Sequence, residues 1–305
     1  MRVLITGING QLGSALVDRL RGFGSLIAAD RSVLDLSRPQ EIGARLDALS
    51  PDLIVNPAAY TAVDRAEEEF ALAYLVNSAG PEALARWSSR HNVPLVHFST
   101  DYVFDGSGER PWREDDPVGP LNVYGASKLA GEQAVRAAGG ASLIVRTAWI
   151  YAAHGRNFLR TMVKMAGERE ELRVVSDQLG APTPASLVAD VLANILERRR
   201  ADLPKTFERL DHRLHLTAGG ETSWHGFATA IVHGLKRRGI AVATRRVVPI
   251  STAEYPARAR RPLNSRLSIT RLQNAFSIAP PDWRDLLDAE LDCIAPVAGQ
   301  HAIRN

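Results

Sequence analysis

The chain runs from its second residue into a strand-like stretch, Arg2-Val3-Leu4-Ile5-Thr6. It then enters Thr6-Gly7-Ile8-Asn9-Gly10-Gln11-Leu12-Gly13 before a helix-length amphipathic segment begins. A strand that ends in glycines spaced three apart constrains what can follow. Glycine permits the tight turn and lets backbone N–H groups approach a pyrophosphate at a helix N-terminus. The segment therefore reads as the first βα unit of a dinucleotide-binding sheet. The spacing is G-x-x-G-x-x-G, not G-x-G-x-x-G, and such a turn alone also fits an ordinary strand–helix connection. Its place at the head of a βαβ pattern is what favours the phosphate reading.

That pattern continues. Short apolar runs at Val3–Thr6, Leu26–Asp30, Leu53–Asn56, Leu95–Ser99 and Leu143–Arg146 read as strands, with further strands at Leu172–Val175 and Leu214–Thr217. Helices are expected at Ser14–Arg21, Pro39–Leu49, Ala66–Val76, Pro81–Arg90 and Tyr124–Ala138. Alternation of this kind predicts a parallel sheet, and unbroken apolar strands such as Leu53-Ile54-Val55 predict helices on both faces. The expected class is α/β: a Rossmann-like doubly wound parallel sheet with a smaller C-terminal substrate-binding lobe. Residues 1–150 form the expected NAD(P)-binding domain, with later crossings back at about 172–176 and 212–240. Residues 151–305 form mainly the substrate-binding lobe.

Composition bounds the function. A hydrophobic content of 45% and a charged content of 23% are those of an ordinary globular protein. No apolar run approaches the ~20 residues needed to cross a bilayer. The strand-like start is not a signal-peptide pattern, and a single cysteine, Cys293, fits a reducing compartment, so a cytoplasmic protein is expected. A net charge of +3 is too balanced to argue for nucleic acid and suits an anionic small molecule equally well. Of 37 basic residues only four are lysines, at 128, 164, 205 and 236, so a lysine is an unusual choice here.

Asp30 ends the second strand about 20 residues after the turn, where a carboxylate accepts bonds from the adenosine ribose hydroxyls. Arg31 follows at once and could neutralise a 2′-phosphate, leaving NADPH or NADH open as the cofactor. Asp35 and Leu36 could reach the adenine edge. The small residues of Ala58-Ala59-Tyr60-Thr61 would allow close packing along a cofactor. Tyr124 and Lys128 stand four apart at the start of a predicted helix and so share a face. Composition predicts only about 0.08 such pairs by chance. An ammonium beside a phenol lowers the phenol's pKa, and such a tyrosine can protonate the oxygen formed when hydride reaches a ketone. Thr100 follows the strand at Leu95–Ser99, at the end of the sheet where ligands bind, and its hydroxyl could bond the substrate carbonyl or the tyrosine.

The pairing of T-G-x-x-G-x-x-G with Y-x-x-x-K resembles the extended short-chain dehydrogenases. Longer strings narrow the resemblance: Ala58-Ala59-Tyr60-Thr61-Ala62-Val63-Asp64, Ser99-Thr100-Asp101-Tyr102-Val103-Phe104-Asp105-Gly106, Arg146-Thr147-Ala148-Trp149, Asp177-Gln178-Leu179-Gly180-Ala181-Pro182-Thr183 and Arg261-Pro262-Leu263-Asn264-Ser265. Together they resemble the dTDP-4-dehydrorhamnose reductase family nearly end to end. The resemblance implies catalytic roles for Thr100, Tyr124 and Lys128, with hydride passing from nicotinamide to a sugar's 4-keto carbon. It implies that Thr100, Asp101 and Trp149 contact a dTDP-linked deoxysugar, and that Phe98 and Ala59–Thr61 line the cofactor. Trp149 has a core position as its alternative. Arg258-Ala259-Arg260-Arg261 is either a diphosphate site or a solvated charge run.

Ala15 stands where magnesium-bridged dimers of this family carry Glu, and Ser186 falls near a second expected Glu. No metal is therefore expected, and the chain should be a monomer or a metal-free dimer. A dehydratase of the same fold would need Asp-Glu after the threonine, whereas Asp101 is followed by Tyr102. Another nucleotide-sugar 4-ketoreductase and a non-catalytic regulatory subunit of the same fold are the alternatives.

Overall fold

A computed structural model describes residues 1–301, so the last four residues of the expected 151–305 lobe lie outside it. The first half is built from β1 (Arg2–Thr6), α1 (Gln11–Leu20), β2 (Ser25–Ala29), α2 (Pro39–Leu49), β3 (Leu53–Asn56), α3 (Val63–Ala66), α4 (Phe70–Tyr74), α5 (Gly80–His91), β4 (Leu95–Thr100), α6 (Val123–Ala137) and β5 (Ser142–Thr147). The sheet has six strands in the order β2-β1-β3-β4-β5 and then Arg213–His215, every neighbour pair parallel. The chain leaves β1 in one direction for β2 and returns on its other side for β3. The strand order thus reverses between β1 and β3, and the crevice beyond their C-terminal ends is where such a sheet binds ligands.

Alternating side chains send the strands' apolar residues into two cores. Val3, Ile5, Val55, Val96 and Val145 face one cluster, which also takes Leu16 of α1. Leu4, Ile54, Leu95 and Ile144 face the other, with Ile42 of α2, Leu84 of α5 and Val135 of α6. β3, β4 and β5 are buried at every residue, as strands covered on both faces must be.

Two local expectations need correcting. The helix expected at Ala66–Val76 is divided into α3 and α4, and a π-helical turn, Leu75–Ala79, joins α4 to α5. The strand at Leu172–Val175 does not cross back into the main sheet. It lies within Glu171–Val175, which pairs in parallel with Arg246–Ile250 in a separate two-stranded sheet. Leu214 does reach the main sheet, opposite Val145. Leu159, Phe227, Ile231 and Leu287 of the second half belong to the same buried cluster as Val3 and Val96.

Helix α6 is fixed to the sheet by an ion pair sealed from water. Arg146 of β5 donates from Nε to Glu132 Oε1 at 2.9 Å and from Nη2 to Oε2 at 2.6 Å, and the two side chains are 2% and 3% exposed. Its Nη1 also donates to the Glu114 carbonyl at 3.2 Å, tying down the loop between β4 and α6. Asn122 caps the helix through a bond from Gly125 N and donates to the Arg260 carbonyl, so the second half holds the helix start. Arg146→Met should cost about 3–5 kcal/mol, because it leaves Glu132 buried without its partner. Adding Glu132→Leu should recover much of the loss. Chemical denaturation measures both, and an unchanged midpoint in the single variant would contradict this role.

Candidate active site

The glycine turn is shaped by close approach. Gly7 has φ +58°, and a Cβ there would lie 2.8 Å from Ala58 Cα. A Cβ at Gly13 would lie 2.1 Å from the Gly7 carbonyl oxygen. Only glycine fits either place. Helix α1 begins at Gln11 with no acidic residue in its first turn, leaving its N-terminal N–H groups free of a competing carboxylate. At the end of β2, Asp30 Oδ1 accepts from Ser32 N at 2.8 Å and Ser32 Oγ at 2.6 Å. These hydrogen bonds hold its carboxyl below the usual range, so it is ionised at neutral pH.

A cleft of about 920 Å³ runs from this turn across the C-terminal ends of the strands. It is lined by Gly7, Asn9, Gly10, Gln11, Leu12, Gly13, Asp30, Arg31, Asp35, Leu36, Ala58, Ala59, Thr61 and Phe98, and at its other end by Thr100, Asp101, Tyr124, Lys128 and Trp149. One expected residue is absent from the lining. The Tyr60 hydroxyl turns away to donate to Glu69 Oε2 at 2.6 Å. Its backbone is held instead: Asn77 of the π-helical turn accepts from Tyr60 N and donates to Tyr60 O. The π turn thus sets the path of Ala58–Thr61 along the cleft, a role that Asn77 gives no sign of in sequence.

At the far end, Thr100 Oγ1 donates to Asp101 Oδ1 at 2.9 Å and accepts from Tyr102 N at 3.2 Å. Burial pushes Asp101 up to about 6, with hydrogen bonds from Ser265 and Thr100 opposing it. Asp101 Oδ2, Ser99 Oγ and Thr147 Oγ1 have no hydrogen-bond partner, and all three residues line the cleft. Unpaired buried polar atoms at a cleft wall are suited to a polar ligand. Lys128 Nζ donates to the Phe98 carbonyl at 2.6 Å. Burial lowers this lysine to about 8, against Glu132, which raises it.

The expected effect of Lys128 on Tyr124 is not what the geometry gives. Burial pushes the Tyr124 hydroxyl up to about 12, with Thr100 pulling it down and Asp101 pushing it up. The lysine is itself desolvated and its Nζ is turned to a carbonyl of β4, so loss of water around the phenolate dominates.

Trp149 has φ +49°, a strained value for a bulky residue, and its ring stacks on Trp224 at 3.6 Å between centroids. The loop after Tyr151 was not anticipated: His154, Gly155, Arg156 and Asn157 all line the cleft. Asn157 Nδ2 donates to Gln11 Oε1 at 2.6 Å, fastening this loop to the glycine turn. The Arg258–Arg261 run is engaged elsewhere, Arg258 with Glu68 and Arg261 with Asp64, and none of it lines the cleft.

A family model described as RmlD substrate binding domain matches residues 1–295. The dTDP-4-dehydrorhamnose reductase of Burkholderia thailandensis is 47% identical over 289 residues, covering 93% of this chain and 96% of that protein. The chain belongs to the dTDP-4-dehydrorhamnose reductase family. Solved reductases of this name share its fold. That of Clostridium acetobutylicum has a TM-score of 0.87 at 35% identity, covering 96% of this chain and 99% of that one. That of Bacillus anthracis, in complex with NADP, has a TM-score of 0.85 at 34% identity, covering 95% and 98%. In this reductase the hydroxyl of Ser186 donates to Glu290 Oε1 at 2.9 Å, while Asp190 pairs with Arg19. Asp288 pairs with Arg237 and Arg238.

Asp101 binds its proton more tightly folded than unfolded, so the folded state gains a proton between about pH 4 and 6 and its stability falls as pH rises through that window. Asp101→Asn should remove this dependence and raise Tm at pH 7 by a few degrees, while lowering turnover. Thermal melting across that pH range measures it; an unchanged slope would mean that the carboxyl is not strained by burial.

Proposed function

We propose that this chain reduces the 4-keto group of dTDP-4-dehydro-L-rhamnose to dTDP-L-rhamnose with NADPH or NADH, in the cytoplasm, as a supplier of precursor for cell-surface polysaccharide. The observation that carries the reading is that one cleft has the glycine turn and Asp30 at one end and Thr100, Tyr124 and Lys128 at the other. The residues present fit a dinucleotide: the Gly7–Gly13 cradle would take the pyrophosphate, Asp30 the ribose hydroxyls, and Arg31 a 2′-phosphate. A bound reduced nicotinamide supplies hydride.

The chain's own residues do the rest. Tyr124, held protonated by burial, delivers a proton to the carbonyl oxygen as hydride arrives at carbon. Thr100, oriented by Asp101, offers a hydroxyl at the same end of the cleft. Lys128 keeps a cation within the buried site, held on the Phe98 carbonyl, where it would meet the ribose and the charge of a bound nicotinamide cofactor. Asp101 and Trp149, which line the same cleft, would contact the sugar. Water elimination is disfavoured, because the residue after Asp101 is Tyr102, whose hydroxyl burial pushes above its normal range. A non-catalytic regulatory role would not require this set of groups to be intact in one cleft.

We further propose that any dimer forms without magnesium. Ala15 offers no oxygen, and Asp190 and Asp288 are neutralised by arginines. Mg²⁺ takes hard oxygen ligands and is usually bound through one or two carboxylates plus waters. Light scattering and turnover should therefore be insensitive to EDTA.

Tyr124→Phe should fold normally and lose on the order of 10²–10⁴-fold in turnover. The assay supplies dTDP-4-dehydro-L-rhamnose and follows loss of reduced-nicotinamide absorbance; near-normal turnover at unchanged Tm would remove Tyr124 from the role. With Asp30 and Arg31 side by side, NADH and NADPH should serve within about tenfold of each other. A hundredfold preference either way would mean that one of the two side chains does not meet the ribose.

A further inference from the structure

Behind the cleft lies a row of buried polar side chains that the mechanism above leaves unused. Thr6 of β1, Asn56 of β3 and His97 of β4 point to the same face as Leu4, Ile54 and Leu95, and all three are at most 1% exposed. Asn56 and His97 are register partners. Ala58 N donates to Thr6 Oγ1 at 3.3 Å, Thr6 Oγ1 lies 2.6 Å from Asn56 Oδ1, and Asn56 Nδ2 lies 3.0 Å from His97 Nδ1. The row ends with His97 Nε2 at 3.5 Å from Lys128 Nζ. Three adjacent strands thus join the residue packed against Gly7 to the lysine at the other end of the cleft.

We propose that His97 is a positioning residue for Lys128, its ring set by Asn56 and Thr6. This rests on the reading of Lys128 as part of the catalytic group. An ammonium has three N–H bonds. One is fixed by the Phe98 carbonyl, and with that anchor alone Nζ could swing about it. His97 closes off the second direction and leaves the third for the cleft. An imidazole is a rigid plane whose remaining freedom is rotation of the ring, and the bond to Asn56 removes it. Burial and the lysine's charge keep the ring neutral, so it does not repel its neighbour as a second cation. A carboxamide turned by half a revolution exchanges oxygen for NH₂. A charged Lys128 needs the Nε2 lone pair, which puts the proton on Nδ1 to donate to the Asn56 oxygen and turns the Asn56 NH₂ to Thr6 Oγ1. With Thr6 donating to the Asn56 oxygen and the Asn56 NH₂ on Nδ1, the ring instead presents Nε2–H, which suits a neutral lysine.

A buried histidine that only satisfies Asn56 would have the same neighbours, and two substitutions separate the roles. The terminal amide of glutamine falls near the position of Nε2, facing Lys128; that of asparagine falls near Nδ1, facing Asn56. With dTDP-4-dehydro-L-rhamnose and NADPH, His97→Gln should keep kcat within about threefold, whereas His97→Asn should lose about tenfold or more at little-changed KM for the sugar nucleotide. Their Tm values should lie within a few degrees of each other. Equal kcat in the two variants, or a folded His97→Gln with a tenfold loss, overturns the proposal. If His97→Asn does not fold, His97→Gln decides alone. Lys128→Met run alongside separates the two layers: retained turnover there refutes the underlying reading, while its loss beside a fully active His97→Asn refutes only the role of His97.

Discussion

The site depends on a charge pair that never meets water. Arg146 and Glu132 bind each other with two parallel hydrogen bonds in the interior, where an unpaired ion would be expelled. Their geometry therefore admits little slack. Glu132 lies one turn along α6 from Lys128 and two turns from Tyr124, so fixing the carboxylate against β5 fixes the rotation of the helix. From that rotation follow the approach of Lys128 to the Phe98 carbonyl and the edge contact of Tyr124 with Tyr102. A purely apolar contact would hold α6 on the sheet but would leave its rotation and sliding less defined.

Much of this was legible in the residues because the informative features are local. A glycine turn between a strand and a helix, an aspartate at the next strand end and a Tyr–Lys pair one helical turn apart need no tertiary partner to be recognised. What sequence missed depended on contacts made at long range. Tyr60 looks like part of a cofactor-lining turn until Glu69 takes its hydroxyl. Leu172–Val175 has the apolar pattern of a main-sheet strand, but its partner is Arg246–Ile250, late in the chain. The helix expected at Ala66–Val76 is interrupted at Glu67–Glu69, between α3 and α4, and runs into a π turn from Leu75, and no residue type announces either change. The direction of the Tyr124 shift was misjudged for a related reason: spacing along a helix says nothing of desolvation.

The end of the cleft around Thr100 and Tyr124 carries several groups that the fold leaves unsatisfied. Asp101 is buried with one oxygen unpartnered, Trp149 occupies a left-handed backbone conformation, and Ser99 and Thr147 hold unpaired hydroxyls. In β3, β4 and β5 every side chain is sealed from water, apolar and polar alike. Unpaired polar atoms also occur away from the cleft, at Ser88, Tyr151, Asn194 and His215 among others, but those on the cleft wall are the ones placed to meet something outside the chain.

The continuity of the buried cluster across both halves has an evolutionary consequence. Because Phe227, Ile231 and Leu287 share one buried cluster with Val3 and Val96, the second half of the chain is not a detachable module. Exchange of that half between relatives by recombination would cut through shared packing and leave both partners with mismatched interiors. Diversification of the pocket is therefore channelled into single substitutions at its rim, in segments such as His154–Asn157 that border the cleft.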